Sequence, residues 1–215
     1  MATDWFRKTS WDEADQADFF ACLKRSRTCS KKAQYLRIQA VYLEGAGTPE
    51  LVKASLTLLD KMFAEFPEKT ELASAYCQKA SCLDKLGEID QAVAFYQRAL
   101  KTEREFPNVK TNAFIQFGRL VVENNLTKFF DEALEELKEL DSRGIKFPSD
   151  IYQAFGIRSI IAAQRGEADK AKDFAKIALR AAGKTHSGLR YHPTVGLVRG
   201  EETPFLKSVT AIAQK

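Results

Sequence analysis

A chain of 215 residues with 45% hydrophobic and 29% charged residues is long enough to bury a core, so general disorder is excluded. The net charge of +4 does not by itself indicate a nucleic-acid partner, and a protein or peptide partner is expected instead. The sequence lacks an uncharged apolar run of about 18 residues and an apolar signal core, so we expect a cytoplasmic protein that is not bound to a membrane. Its four cysteines form no C-x-x-C pair, which argues against a zinc ribbon or a redox motif.

The first predicted element is a capping helix within an N-terminal segment at residues 1–32. Ser10 and Glu13 have the spacing of a capping box and predict a helix from there to about Arg27. Trp5 and Phe6 precede this helix, and two interpretations stay open for them. They pack against the first helical hairpin, or they form an exposed aromatic anchor for a partner.

Charge is distributed unevenly along the chain. From Phe19 to Leu43 there is no acidic residue, and from Phe174 to Gly200 there is again none. The basic residues of the two stretches are Lys24, Arg25, Arg27, Lys31, Lys32 and Arg37, then Lys176, Arg180, Lys184, Arg190 and Arg199. Both ends are therefore basic, which favours a partner with acidic patches.

Three phenylalanine–proline pairs mark an internal repeat. Pro67, Pro107 and Pro148 are spaced by 40 and 41 residues, and Gly47 and Gly87 lie 20 residues ahead of the first two. Between these markers, apolar residues recur every three or four positions, as in amphipathic helices. Each unit therefore predicts two helices joined by a glycine turn, and a period of this length is typical of a stacked array.

The best-defined unit is "ASAYCQKASCLDKLGEIDQAVAFYQRAL", which starts at Ala73. It combines small residues at Ala80 and Ala92 with aromatic residues at Tyr76 and Tyr96 on either side of a Leu-Gly turn. In this pattern it resembles a tetratricopeptide repeat. The stretch "RSIIAAQRGEADKAKDFAKIALRAA" is similar, with serine and alanine at the small positions.

Two further units match less closely. The unit from Thr111 has "ENNLTK" where a short Leu-Gly turn is expected, which predicts a longer loop. The first unit has Thr48-Pro49 after Gly47 and Ser55 in place of an alanine.

The resemblance implies an all-α fold: a right-handed solenoid of about four antiparallel helical hairpins, with an N-terminal capping helix and a C-terminal loop plus short helix. The expected array covers residues 33–182. Its hairpins are expected at about 33–67, 73–107, 111–148 and 152–182, followed by the C-terminal loop and capping helix at 183–215. Related helical repeats of about 40 residues stay open as a structural alternative.

In such an array the first helices line a concave surface that binds an extended peptide or a helix. Projection of the best-matching unit onto the others places nine residues there: Gln34, Arg37, Val41, Cys77, Ser81, Asp84, Asn112, Ile115 and Arg119. Arg37 and Arg119 are expected to pair with partner acids. Arg37 and Val41 replace the Lys and Asn with which some family members grip a terminal carboxylate, so the resemblance does not imply recognition of a C-terminal tail.

Both histidines of the chain lie in "HSGLRYHPTV", six positions apart and without a nearby carboxylate or cysteine to complete a metal site. Phosphate-loop, zinc-protease and nucleophile-elbow motifs are absent from the sequence. We therefore predict no catalytic, cofactor or metal site. The stretch is interpreted as an end loop, in which His186, Arg190, Tyr191 and His192 are candidates for partner contacts.

The sequence thus predicts a non-enzymatic protein–protein interaction module, an adaptor, chaperone or inhibitor-like protein that binds a partner polypeptide in the concave face. The alternative is an RNA-binding helical-repeat protein that uses the basic segment Lys24–Arg37, with Tyr35 and Tyr42 for base stacking. A third hypothesis, from another class, is a hydrolase or transferase centred on the histidines.

Overall fold

The computed structural model describes residues 4–142, 146–198 and 203–215, so the expectations for Arg199 and Gly200 lie outside the described residues. Within these ranges there are α-helices, one 3-10 helix and no strand, which confirms the all-α fold. The helices are α1 (Glu13–Arg25), α2 (Cys29–Ala46), α3 (Pro49–Glu65), α4 (Lys69–Lys85), α5 (Ile89–Glu105), α6 (Ala113–Glu123), α7 (Phe130–Glu136), α8 (Glu139–Ser142), α9 (Pro148–Gln164), α10 (Ala168–Ala182) and α11 (Pro204–Gln214).

The helices belong to two compact units, residues 1–113 and 114–215. In the first unit α2 packs along α3, and α4 packs along α5; in the second, α9 packs along α10. The turns of these hairpins contain Gly47, Gly87 and Gly166, whose φ angles are 84°, 76° and 76°. Since L side chains are strained at such angles, glycine lets the chain reverse at each of these places.

Small residues lie where the two helices of a hairpin approach each other. Ser55 of α3 is fully buried, and its hydroxyl donates to the carbonyl of Ala40 in α2 at 2.9 Å. Ser159 of α9 is also fully buried and donates to the carbonyl of Ala171 in α10 at 2.9 Å. Each serine thus takes the place of a small apolar residue and satisfies its hydroxyl with the backbone of the opposite helix.

The third hairpin differs from the others. The longer loop that "ENNLTK" predicts is present: α6 ends at Glu123, Asn125 has a φ of 52°, and a 3-10 helix at Thr127–Phe129 precedes α7.

The phenylalanine–proline pairs have two different roles. Phe66 and Phe106 are the C-caps of α3 and α5, whereas Pro148 is in the first turn of α9.

The predicted capping box at the start of α1 is wrong. Asp12 is the N-cap, and its carboxylate accepts from the amide of Asp15 at 2.8 Å. Ser10 instead donates its hydroxyl to the carboxylate of Asp15 at 2.6 Å, and Lys8 donates to the same group at 3.0 Å. These two hydrogen bonds lower the pKa of Asp15, the one from Ser10 most strongly. The helix ends at Arg25 rather than Arg27.

The N-terminal segment packs against α1 and α2, which confirms the first of the two interpretations for Trp5 and Phe6. The ring centroid of Trp5 lies 5.3 Å from that of Phe19 and 4.8 Å from that of Tyr35. Gln39 is fully buried, and its amide makes two hydrogen bonds with the backbone of Lys8, at 3.0 and 2.7 Å. The segment is therefore fixed by aromatic packing and by one buried amide.

The predicted C-terminal helix is present as α11, which packs on α9 and α10. Its Phe205 is 2% exposed and lies edge-on to Tyr152 of α9, with ring centroids 5.6 Å apart. Gly156 makes this approach possible, because a Cβ atom at this position would lie 2.6 Å from Cζ of Phe205 and 3.1 Å from Cγ2 of Val209.

Gly156→Ala should therefore lower the free energy of unfolding by about 1–3 kcal/mol, although alanine is the better helix former. The measurement is urea unfolding. Gly45→Ala is the matched control, since Gly45 also lies in a helix and a Cβ atom there would have no neighbour within 4 Å. If both variants gained stability equally, the close packing of Phe205 on Gly156 would be contradicted.

Candidate protein-interaction surface

Side chains of α2 and α4 connect the first helices of the two hairpins in the first unit. Arg37 of α2 forms a half-buried ion pair with Glu71 of α4. In the last turn of α2, Glu44 accepts from the hydroxyl of Ser81 at 2.6 Å and from the ammonium group of Lys85 at 2.9 Å. We call this surface the α2–α4 face; it consists of Arg37, Val41 and Glu44 with Glu71, Ser81 and Lys85.

Val41 is the apolar residue of the α2–α4 face. It lies one turn after Arg37 and one turn before Glu44, and both of these neighbours reach across to α4. Val41 is nevertheless 43% exposed. Gln34 and Tyr42 are exposed on the same helix, and the guanidinium of Arg7 lies 6.0 Å from the Tyr42 ring centroid. An accessible apolar side chain is thus held between two polar contacts.

Gln78 of α4 is a buried residue that the sequence did not point to. It is 7% exposed, and neither its amide nitrogen nor its amide oxygen has a hydrogen-bond partner among the described residues. It lies two turns after Glu71 and one turn before Ser81, so it is on the side of α4 that reaches α2. Leaving a buried polar group unpaired typically costs about 1–3 kcal/mol, so Gln78 lowers the stability of this helix contact.

Two of the nine predicted contact residues are corrected by the structure. Cys77 is 7% exposed and Ile115 is 1% exposed, so their side chains belong to the core and are closed to a partner. Burial raises the pKa of the Cys77 thiol to about 12. Of the other predicted positions, Ser81 and Asp84 are half-buried, and Asn112 is exposed.

Arg119 of α6 is engaged within its own unit. Its guanidinium is paired with Glu123 one turn later and lies 3.9 Å from the ring centroid of Phe205 in α11. Arg37 is likewise paired, with Glu71. The two arginines that the sequence assigned to partner acids therefore already stabilise contacts between helices or within a helix.

The end loop is held by hydrogen bonds between its own residues, made by both backbone and side-chain groups. The amide and the hydroxyl of Ser187 donate to the carbonyls of Pro193 and His192, both at 2.7 Å, and His186 Nδ1 accepts from the amide of Gly188 at 2.9 Å. Both imidazoles are exposed, as is Tyr191 at 78%. The described residues contain no group of three or more potential metal-ligating side chains.

Comparison with known proteins identifies one repeat. Residues 73–106 match the model of the tetratricopeptide repeat, so the resemblance drawn from the sequence is confirmed for this segment. Tetratricopeptide repeats suggest a protein–protein interaction module. A search of curated proteins found no significant match.

Solved structures include one that is similar over most of the chain. The crystal structure of BtubC (BKLC) from P. vanneervenii has 16% sequence identity and a TM-score of 0.50, over 94% of this chain and 79% of that chain. At this identity the similarity concerns the fold alone.

Among the described residues, none of the helices has the length and hydropathy that a membrane span requires.

The ion pair between Arg37 and Glu71 should stabilise the fold rather than serve a partner. Arg37→Ala and Glu71→Ala should each be destabilising, and a double-mutant cycle should give a coupling energy of about 1–2 kcal/mol because both side chains are partly buried. Lys61→Ala and Glu65→Ala form a more exposed control pair within one helix, for which about 0.3–0.5 kcal/mol is expected. Equal coupling in the two cycles would contradict the structural role.

The cysteines should divide into two reactive and two protected thiols. Cys77 and Cys82 are buried, and burial raises the pKa of each to about 12, so both stay protonated and unreactive near pH 8. Cys29 is exposed and Cys22 half-buried, so titration with Ellman's reagent should count two thiols in the native protein and four in urea. Three or more rapidly reacting thiols in the native state would contradict this burial.

Proposed function

We propose that the protein is a non-enzymatic interaction module that binds a partner polypeptide on the α2–α4 face and acts in the cytoplasm as an adaptor, chaperone or inhibitor-like protein. The observation that supports this most directly is Val41, an apolar side chain 43% exposed between two contacts that join consecutive first helices. The tetratricopeptide repeat at residues 73–106 supports the same class of function.

The geometry of the face suggests how an extended chain would bind. Arg37 and Glu44 are already held by residues of α4, so little side-chain entropy remains to be lost at these positions on binding. Their remaining lone pairs and N–H groups can form hydrogen bonds with a peptide backbone. Val41 then supplies apolar contact area at the centre, where burial contributes most to affinity.

This arrangement changes the expected contribution of Arg37. Because its guanidinium pairs with Glu71, a partner carboxylate would have to compete with that contact. The proposal therefore takes affinity from Val41 and from backbone contacts, with charge in a secondary role. It requires no cofactor.

Val41→Asp should abolish or strongly reduce capture of partner proteins from an extract of the native source, because it places a charge at the apolar centre of the face. Val195→Asp is the matched control, since Val195 is 45% exposed and lies in the end loop. The measurement is affinity purification with mass spectrometry, with circular dichroism to show that both variants fold. If capture depended on Val195 and not on Val41, the proposed face would be wrong.

A further inference from the structure

The junction between α1 and α2 concentrates unpaired positive charge. Four exposed basic residues lie there, Lys24, Arg25, Arg27 and Lys31, which we call the basic corner. Among the described residues, the side chains of Lys24, Arg27 and Lys31 have no ion pair or hydrogen bond, and the guanidinium of Arg25 donates only to Sγ of Cys22 at 2.9 Å. The amino end of α2, whose N-cap is Thr28, adds the positive end of a helix dipole.

A cleft of about 460 Å³ opens beside the basic corner. Its lining residues are Trp5, Asp18, Cys22, Arg25, Ser26 and Tyr35. Asp18 is the one acid among these six, and its carboxylate lies 3.0 Å from the ammonium group of Lys8, which Asp15 also contacts, so the four cations of the basic corner outweigh the remaining negative charge. The cleft therefore combines aromatic walls with a net positive potential from the adjoining corner.

The aromatic walls fit a side chain better than a nucleobase. Trp5 packs against three rings at once, those of Phe6, Phe19 and Tyr35, with centroid distances of 5.3, 5.3 and 4.8 Å. Tyr35 also packs against Phe6, at 4.7 Å. Base stacking requires an open ring face, and here the rings are already occupied by one another.

We propose that the basic corner and its cleft bind an acidic polypeptide segment that inserts one apolar side chain into the cleft, beside Trp5 and Tyr35. The carboxylates of this segment pair with Lys24, Arg27 and Lys31, and the apolar residue enters the cleft. The site is separate from the α2–α4 face and rests on the proposed function only in that its ligand is a polypeptide.

The test is fluorescence anisotropy with a labelled synthetic peptide of glutamates that has one central leucine. Replacing the glutamates by glutamines should abolish binding, and replacing the leucine by serine should weaken it by about tenfold, the effect of losing one buried aliphatic side chain. Binding should also weaken as salt is added, because the charges are exposed.

Matched charge-reversal variants locate the site. The triple variant Lys24→Glu, Arg27→Glu, Lys31→Glu should raise the dissociation constant by about tenfold or more, since each exposed ion pair contributes modestly. The control Lys53→Glu, Lys69→Glu, Lys176→Glu has the same net charge, and these three lysines are also exposed, so it should bind nearly as the parent does. Circular dichroism checks that both fold.

Thiol protection provides a second readout that does not depend on these substitutions. In a Cys29→Ser background, Cys22 is the reactive thiol, because Cys77 and Cys82 are buried. Since Cys22 lines the cleft, the leucine peptide should slow its alkylation by maleimide, and the serine peptide should slow it less.

Three outcomes would overturn the proposal. They are equal loss of binding in the two triple variants, unprotected Cys22 at saturating peptide, and tighter binding of a single-stranded RNA of the same charge than of the peptide. Val41→Asp should leave peptide binding unchanged, so failure at the basic corner and failure of the α2–α4 face are distinguishable.

Discussion

The close approach of paired helices at small residues is the constraint on which the rest of the structure depends. Ala40 and Ser55 meet in the first hairpin, and Ser159 and Ala171 meet in the fourth, each through a serine hydroxyl bonded to a backbone carbonyl. A larger side chain at any of these four positions would push the two helices apart. The apolar side chains around it would then lose their close packing and leave gaps in the interface. The hydrogen bond also removes the cost of burying the hydroxyl, so serine serves here as well as alanine.

This packing decides which surface groups remain for a partner. Once the hairpins of the first unit stack, Arg37 meets Glu71, and Glu44 meets Ser81 and Lys85. These polar residues of α2 and α4 are therefore used within the fold. A stacked array of this kind is stabilised by such contacts between neighbouring repeats. What it leaves accessible is an apolar side chain on α2 and a group of unpaired cations where α1 ends and α2 begins.

Much of the fold could be predicted because its signals are local. The turn glycines, the small residues and the helical period lie within single repeats, and the structure has the hairpins where those signals are strongest. The start of α1 could not be predicted, because Ser10 and Asp12 are both good N-caps and the choice follows from the contacts of Ser10 and Lys8 with Asp15. Surface assignments failed for a related reason: the burial of Cys77 and Ile115 and the unpaired amide of Gln78 depend on neighbouring helices, which a single repeat does not describe.

The acid-free stretch from Phe19 to Leu43 shows how much of a binding site can be predicted from a run of basic residues. By composition alone, Lys24, Arg27 and Arg37 are equivalent. In the folded chain Arg37 pairs with Glu71, which lies 34 residues later in the sequence, so Arg37 is not available to a partner. Among the described residues, no acid pairs with Lys24 or Arg27. A run of like charge therefore indicates where a partner could bind, and the pairing pattern of the folded chain decides which of its members can act. Lys24 and Arg27 remain unpaired and lie beside a cleft with aromatic walls. An acidic partner gains more electrostatic energy from them than from Arg37, which is already paired with Glu71.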